Sequence, residues 1–351
     1  MTHLWVRAES RDHEARVGVT PDGVTALIAA GMRVTVEESR QRIVPIDGYR
    51  AAGAEIAAEG AWVDAPVDAL IFGLKELPAD GTPLRHRHIM FGHAFKGQPD
   101  GQVLLARFKA GGGTLYDLEY LTGTDGRRVA AFGYWAGYAG AAVALMCWIA
   151  QQRGQVAGAV RAVPSQADLL AQLRGDLAPV GAVRPIALII GALGRVGTGA
   201  ADLCREMGVD TTLWDMAETA SGGPFPQVLT HDLFLNCILA RPGTPVFVPA
   251  SAKTAERRLS VIGDIACDPD SDFSPIKVYD HVTTWDAPAL RVHEAPVLDV
   301  TAIDNLPSLM PLESSVDFAE QLLPSLLALD ALDKGVWGSA AALFDAALAK
   351  I

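Results

Sequence analysis

The segment Gly191-Ala-Leu-Gly-Arg-Val-Gly197 constrains this chain more than any other. It follows an apolar run, Pro185-Ile-Ala-Leu-Ile-Ile190, that reads as a buried parallel strand, and it precedes a helix-like stretch from Thr198 to Met207. A strand, a glycine turn and a helix in that order point to a dinucleotide site. The turn needs residues without Cβ so that backbone amides can approach a pyrophosphate, and the helix N-terminus favours its charge. A second strand-like run from Thr211 ends in Asp215. An acid about 20 residues beyond the turn is placed to hold ribose hydroxyls. The glycine spacing is Gly-x-x-Gly-x-x-Gly, one residue away from the usual Gly-x-Gly-x-x-Gly. The alternative reading is an ordinary tight strand–helix turn. No basic residue follows Asp215 to receive a 2′-phosphate, so NAD is favoured over NADP.

A chain of 351 residues suggests two domains. Half of it is hydrophobic, which is enough for a substantial core. A net charge of −12 argues against nucleic acid and against anionic membrane surfaces as partners. The four cysteines, Cys147, Cys204, Cys237 and Cys267, are scattered and signal neither a zinc cage nor a disulfide framework. No signal-peptide pattern opens the chain. The expectation is a cytoplasmic protein without a membrane span. The most apolar stretch, 136–150, is about 15 residues long and reads as a buried helix.

Strands are expected at 3–6, 32–37, 68–74, 88–92 and 113–117, with helices at 22–30 and 47–58 among them. A long helix over 133–152 carries the chain into the second half, and another lies at 165–174. Strands follow at 186–190, 211–214, 232–236, 259–264 and near 297–300. Helices at 313–323, 324–329 and 336–350 close the chain. Alternating strands and helices imply parallel, doubly wound sheets. The expected fold class is α/β, two Rossmann-like doubly wound domains with an active-site cleft between them. Residues 1–132 with 320–351 would form the substrate domain and residues 133–319 the NAD-binding domain.

In such sheets ligands bind outside the carboxyl ends of the strands. Here those ends carry Arg7 and Glu9, Lys75 and Glu76, His93 and Lys96, Asp117 and Glu119. Polar loops account for some of them. Lys75 and His93, however, sit tight against apolar runs, where a charge is costly without a purpose. In the second half, Asn236-Cys237 and Asp264 stand at strand ends near the expected nicotinamide. His86 and His88 share a strand face but lack a third ligand, so no metal is expected. No Gly-x-Ser-x-Gly elbow occurs.

Several longer stretches go together: Leu4 to Glu9 with Glu14-Ala-Arg16, Gly73-Leu-Lys-Glu-Leu-Pro78, Gly92-His-Ala-Phe-Lys96, Gly113 to Glu119, Gly126 to Gly133, Gly191 to Gly197, Gly222-Gly-Pro-Phe225 and Ile303 to Leu309. Through them the chain resembles, along nearly its full length, the NAD-dependent, L-lysine-forming saccharopine dehydrogenases. That family is in turn similar to the alanine dehydrogenases. The resemblance implies oxidative cleavage of saccharopine with NAD to L-lysine and 2-oxoglutarate, reversible as a reductive condensation. It implies Lys75 and His93 as the acid–base pair, with Arg16, Glu76, Lys96, Glu119, Arg128, Phe132 and Asp304 around the substrate. Arg16 and Arg128 suit its carboxylates through forked contacts. The cofactor residues are then Gly191, Gly194, Arg195, Val196 and Gly197 of the turn, with Asp215 and Cys237. The chain departs from the family at Val196, where a cysteine is usual, at Asn305, where histidine is usual, and at Leu312, where arginine is frequent. Three further readings stay open: an enzyme for another opine-type adduct, an alanine dehydrogenase, and a catalytically silent NAD-sensing protein. The expected partner is a small molecule and the expected state a monomer or weak homo-oligomer.

Overall fold

The computed structural model describes residues 1–97 and 99–351. The chain divides into two units, residues 1–131 with 311–351 and residues 132–310. It re-enters the first unit at Pro311, whereas the sequence division placed that return at residue 320.

The first unit holds β1 (His3–Val6), α1 (Pro21–Ala29), β2 (Arg33–Glu37), α2 (Ile46–Ala51), β3 (Glu55–Ala57), β4 (Leu70–Phe72), β5 (Arg87–Met90), α3 (Pro99–Gly111) and β6 (Thr114–Asp117). Its six strands are all parallel, in the order β3-β2-β1-β4-β5-β6. The strand order reverses between β1 and β4. Such a sheet must be covered on both faces, so its strands read as near-continuous apolar runs. Leu70, Ile71 and Phe72 are at most 1% exposed. Thr20 caps α1 through the amide of Gly23, and Pro21 opens the helix.

The second unit holds α4 (Gly133–Gln152), α5 (Gln166–Leu177), β7 (Ile186–Ile190), α6 (Arg195–Glu206), β8 (Asp210–Trp214), α7 (Met216–Thr219), β9 (Leu233–Asn236), β10 (Val261–Asp264), β11 (Leu290–Glu294) and β12 (Val297–Thr301). The sheet order is β11-β12-β10-β9-β7-β8, parallel except for the edge strand β11. Its reversal lies between β7 and β9. The chain then returns to the first unit as α8 (Pro311–Leu326) and α9 (Gly335–Leu348).

Among the described residues, α4 is the one helix long and apolar enough to cross a membrane. It is instead a core helix, with 72% of its apolar window buried inside the fold. It meets α6 through glycine. A Cβ on Gly137 would lie 1.8 Å from the Val196 carbonyl, and one on Gly199 would lie 1.9 Å from the Tyr134 carbonyl. The two helices therefore touch backbone to backbone.

Two expectations about elements need correction. The helix expected over 47–58 ends at Ala51. Gly53, at φ 93°, turns the chain, and Glu55–Ala57 becomes the edge strand β3. The helices expected at 313–323 and 324–329 are one helix, α8, which runs through Pro324 and stops at Leu326. Besides the one-turn helix α7, two elements had no counterpart in the sequence reading. One is α3, whose apolar periodicity is weakened by Arg107 buried at 5% exposure. The other is β11, an edge strand with half-buried residues on both faces.

Candidate active site

In the first unit the site grows from the ends of β1, β4, β5 and β6. The crevice at a topological switch point is where ligands bind in open α/β sheets, and Lys75 follows β4 at that point. Lys75 is half-buried. Burial lowers the pKa of its ammonium, Arg16 and Arg11 add to the effect by repulsion, and Glu14 and Glu76 oppose it. Arg16 is itself 3% exposed and held by Glu14 in a two-pronged contact, Nε to Oε1 at 2.8 Å and Nη2 to Oε2 at 2.6 Å. This fork places a fixed positive charge beside Lys75.

His93 follows β5. Its Nε2 is 3.3 Å from Glu76 Oε1 and its Nδ1 is 3.3 Å from Glu119 Oε2. The bond to Glu119 raises its pKa despite partial burial, with Glu76 and Asp117 adding to the rise. Glu119 is drawn down to about 2, by His93 first and then by Lys96, whose Nζ donates to Oε1 at 2.8 Å. The ring also stacks on Phe91, with centroids 6.4 Å apart. Lysine and histidine are thus moved in opposite directions, the lysine down and the histidine up.

Lys75, Glu76, His93, Lys96 and Glu119 form one cluster, with Arg16 acting on Lys75. Arg128 is exposed in the 122–128 hairpin, and its charge is felt by Lys96. Phe132 is the first residue of the second unit and the N-cap of α4. Asp304 is an exposed residue of the second unit, past β12, and contributes to holding the Cys267 thiol protonated. Glu14 is a site residue to which sequence reasoning gave no role, and Asp117 was read there only as one of the ionisable residues at the strand ends. The Glu-x-Arg spacing at 14–16 was the available signal for Glu14. Asp117 ends β6 fully buried, and burial pushes its carboxyl up to about 6. His86 and His88 are core residues. His86 Nε2 lies 3.0 Å from the Ala65 carbonyl, and His88 packs edge-on against Trp62 and Phe108.

In the second unit the turn follows β7. Gly191 takes φ 90°, and a Cβ there would meet the Cys237 carbonyl at 2.9 Å. A Cβ on Gly197 would lie 2.1 Å from the Gly191 carbonyl, so turn and helix close on each other only with glycine. At Gly194 the nearest atom to a Cβ is 3.4 Å away, which leaves the outer side of the turn open. There α6 begins at Arg195 and Val196, at the electropositive end of the helix. These residues could hold a pyrophosphate. Asp215 ends β8. Its Oδ2 accepts the Leu193 amide at 2.9 Å and its Oδ1 the Met216 amide at 2.9 Å, so the acid is tied to the turn it would serve. The carboxylate also accepts the Glu218 amide as the cap of α7, which leaves it acceptor capacity for one ribose hydroxyl. Cys237 follows β9 and its amide donates to the Ile190 carbonyl at 2.9 Å. Asn236 before it donates to Asp264 at 2.9 Å, and Tyr279 donates to the other oxygen of Asp264 at 2.5 Å.

Two doubly wound units, one with a dinucleotide-type turn and the other with an ion-paired lysine–histidine cluster, define a protein of the two-domain Rossmann class. Residues 5–139 match the alanine dehydrogenase/PNT N-terminal domain family. The saccharopine dehydrogenase [NAD(+), L-lysine-forming] of Yarrowia lipolytica is 44% identical, over 97% of this chain and 96% of its own length. That of Schizosaccharomyces pombe is 42% identical, over 99% of both chains. Among solved structures, an L-alanine dehydrogenase superposes with a TM-score of 0.69 at 21% identity, over 99% of this chain and 94% of its own, a likeness of fold. The chain belongs to the family of NAD-dependent, L-lysine-forming saccharopine dehydrogenases.

Proposed function

We propose that this chain oxidises saccharopine with NAD⁺ to L-lysine and 2-oxoglutarate, and runs the reductive condensation in reverse. The observation that carries the reading is the Lys75–His93 cluster at the strand ends, in a chain alike over its whole length to relatives that carry this name. NAD⁺, when bound, supplies the acceptor for the hydride from the substrate carbon. The glycine turn and Asp215 hold it.

Lys75, whose ammonium is disfavoured by burial and by Arg16, takes the proton from the protonated secondary amine of saccharopine. Loss of hydride from the neutral amine leaves a protonated imine. His93 draws a proton from the water that attacks it, and the charge it gains is favoured by Glu119 and Glu76. When the carbinolamine collapses, Lys75 returns its proton to the departing lysine nitrogen and the hydroxyl proton passes to water; of that proton and the one held by His93, one completes the ammonium of lysine and the other is the net proton released. Arg16 and Arg128 bind the carboxylates of the substrate, with Lys96, Phe132 and Asp304 supporting. A reducing, cytoplasmic setting is supported by four free cysteines.

Lys75→Met and His93→Gln test the assignment. Each is expected to lower kcat about 10²- to 10⁴-fold, the range of a lost acid–base group. NAD⁺ affinity, measured by calorimetry, is expected to stay at the wild-type value. Unchanged turnover in either variant would sink that residue's role.

A further inference from the structure

Two charged side chains at the end of β1 grip the peptide that carries Lys75. Glu9 Oε1 accepts the amide of Leu74 at 2.6 Å, and Oε2 accepts the amide of Lys75 at 3.0 Å. Arg7 Nη2 donates to the Lys75 carbonyl. Arg7 Nη1 donates to the Ala8 carbonyl at 3.0 Å and lies 3.4 Å from Glu9 Oε2. The side chains are 1% and 9% exposed. Gly73 completes the arrangement. A Cβ there would lie 2.4 Å from Arg7 Nε, so the guanidinium packs on bare backbone. A buried ion pair is weak evidence for stability, because desolvation offsets its attraction. This pair directs its hydrogen bonds at consecutive peptide groups on either side of one side chain.

We infer that Glu9 and Arg7 are positioning residues for Lys75, fixing its backbone and so the direction in which its stem leaves the strand end. The inference rests on the acid–base role of Lys75 given above. It concerns geometry and not charge. Burial, Arg16, Glu14, Arg11 and Glu76 are the leading influences on the ammonium, whereas both oxygens of Glu9 face amides. A displacement of about 1 Å at a reacting group costs on the order of 100-fold in rate.

A double-mutant cycle on the full-length enzyme separates this from a general brace. In Glu9→Gln the side chain keeps one acceptor oxygen and turns an amide donor toward the other backbone N–H. We expect kcat for saccharopine oxidation to fall about 10- to 100-fold, with KM for NAD⁺ unchanged. In a Lys75→Met background the same change is expected to alter kcat by less than about twofold, because the side chain it positions is gone. Arg7→Lys, which keeps the charge and loses the fork, runs through the same cycle should the glutamine variant not fold. Equal factors with and without Lys75, or wild-type kcat in Glu9→Gln, would overturn the inference alone. Unchanged turnover in Lys75→Met by itself would instead remove the acid–base reading, and this inference with it.

Discussion

His93 sits at φ 48°, in the left-handed region where a side chain costs about 1–2 kcal/mol. Neighbours hold it there. A Cβ on the preceding Gly92 would lie 2.6 Å from Leu115, and one on Gly101 of α3 would lie 2.9 Å from the His93 carbonyl. The turn brings the ring within 3.3 Å of both Glu76 and Glu119. Glu119 is the larger cause of the raised histidine pKa. In the oxidative direction of the proposed mechanism His93 is neutral when it accepts a proton from water, so activity is expected to fall as pH drops through that raised value. Glu119→Gln lowers it, and the acid limb of kcat/KM for saccharopine is expected to move to lower pH. A limb that stays in place or moves upward contradicts the pairing. Asp117 gives a stability test. Its folded-state pKa of about 6 exceeds its ordinary 3.8 because it is buried, so between those values the folded state holds a proton that the unfolded chain has lost. Its contribution is therefore present at low pH and declines as pH rises from about 4 through about 6. Asp117→Asn is expected to flatten that part of the curve, read as urea midpoints across the range. An unchanged slope would count against a buried, titrating Asp117.

At the scale of elements, the contact of α4 with α6 carries the greatest demand for particular residues. Gly137→Ala puts a Cβ against the Val196 carbonyl, and Val196 belongs to the turn proposed to hold the cofactor. Overpacking of this kind costs about 1–3 kcal/mol or more. We expect a lower thermal midpoint together with weaker NAD⁺ binding. A variant as stable as wild type, with unchanged affinity, would contradict the backbone contact. Much of this architecture was legible in the sequence, because glycine and apolar runs announce it. β7, the turn, α6 and α4 follow from local pattern alone. What the sequence concealed was tertiary. β3 becomes a strand because β2 is there to pair with it, not because Glu55-Ile-Ala57 has a strand pattern of its own. α3 buries Arg107, whose guanidinium donates to the carbonyls of Pro78 and Thr82, so a charge stands where periodicity calls for an apolar residue. In the site, Lys75 and His93 were visible as charges beside apolar runs. The directions in which their pKa values move were not, because Glu14, Arg16 and Glu119 reach them only through the folded loops.

The whole molecule sets two sheets of related order to different work, and an acid at the end of the second strand of each marks the difference. In the second unit Asp215 reaches back to the glycine turn and is half-exposed. In the first unit Glu37 stands at the corresponding end of β2 with no exposure at all. It accepts from the amides of Ala8, Gly60 and Trp62 and from the Trp5 indole, which occupies the oxygens a ribose would need. The strand beside it leads into Arg7-Ala-Glu9 and not into glycine. In the first sheet that acid is therefore committed to backbone and indole donors, while the second sheet keeps the glycine turn proposed to hold the cofactor. The most direct test of the account is the rate of NADH formation by purified full-length protein given NAD⁺ with saccharopine or with L-alanine. The account predicts NADH, with L-lysine and 2-oxoglutarate in equal amounts, from saccharopine and no turnover of alanine. Silence with saccharopine alongside oxidation of alanine would contradict it.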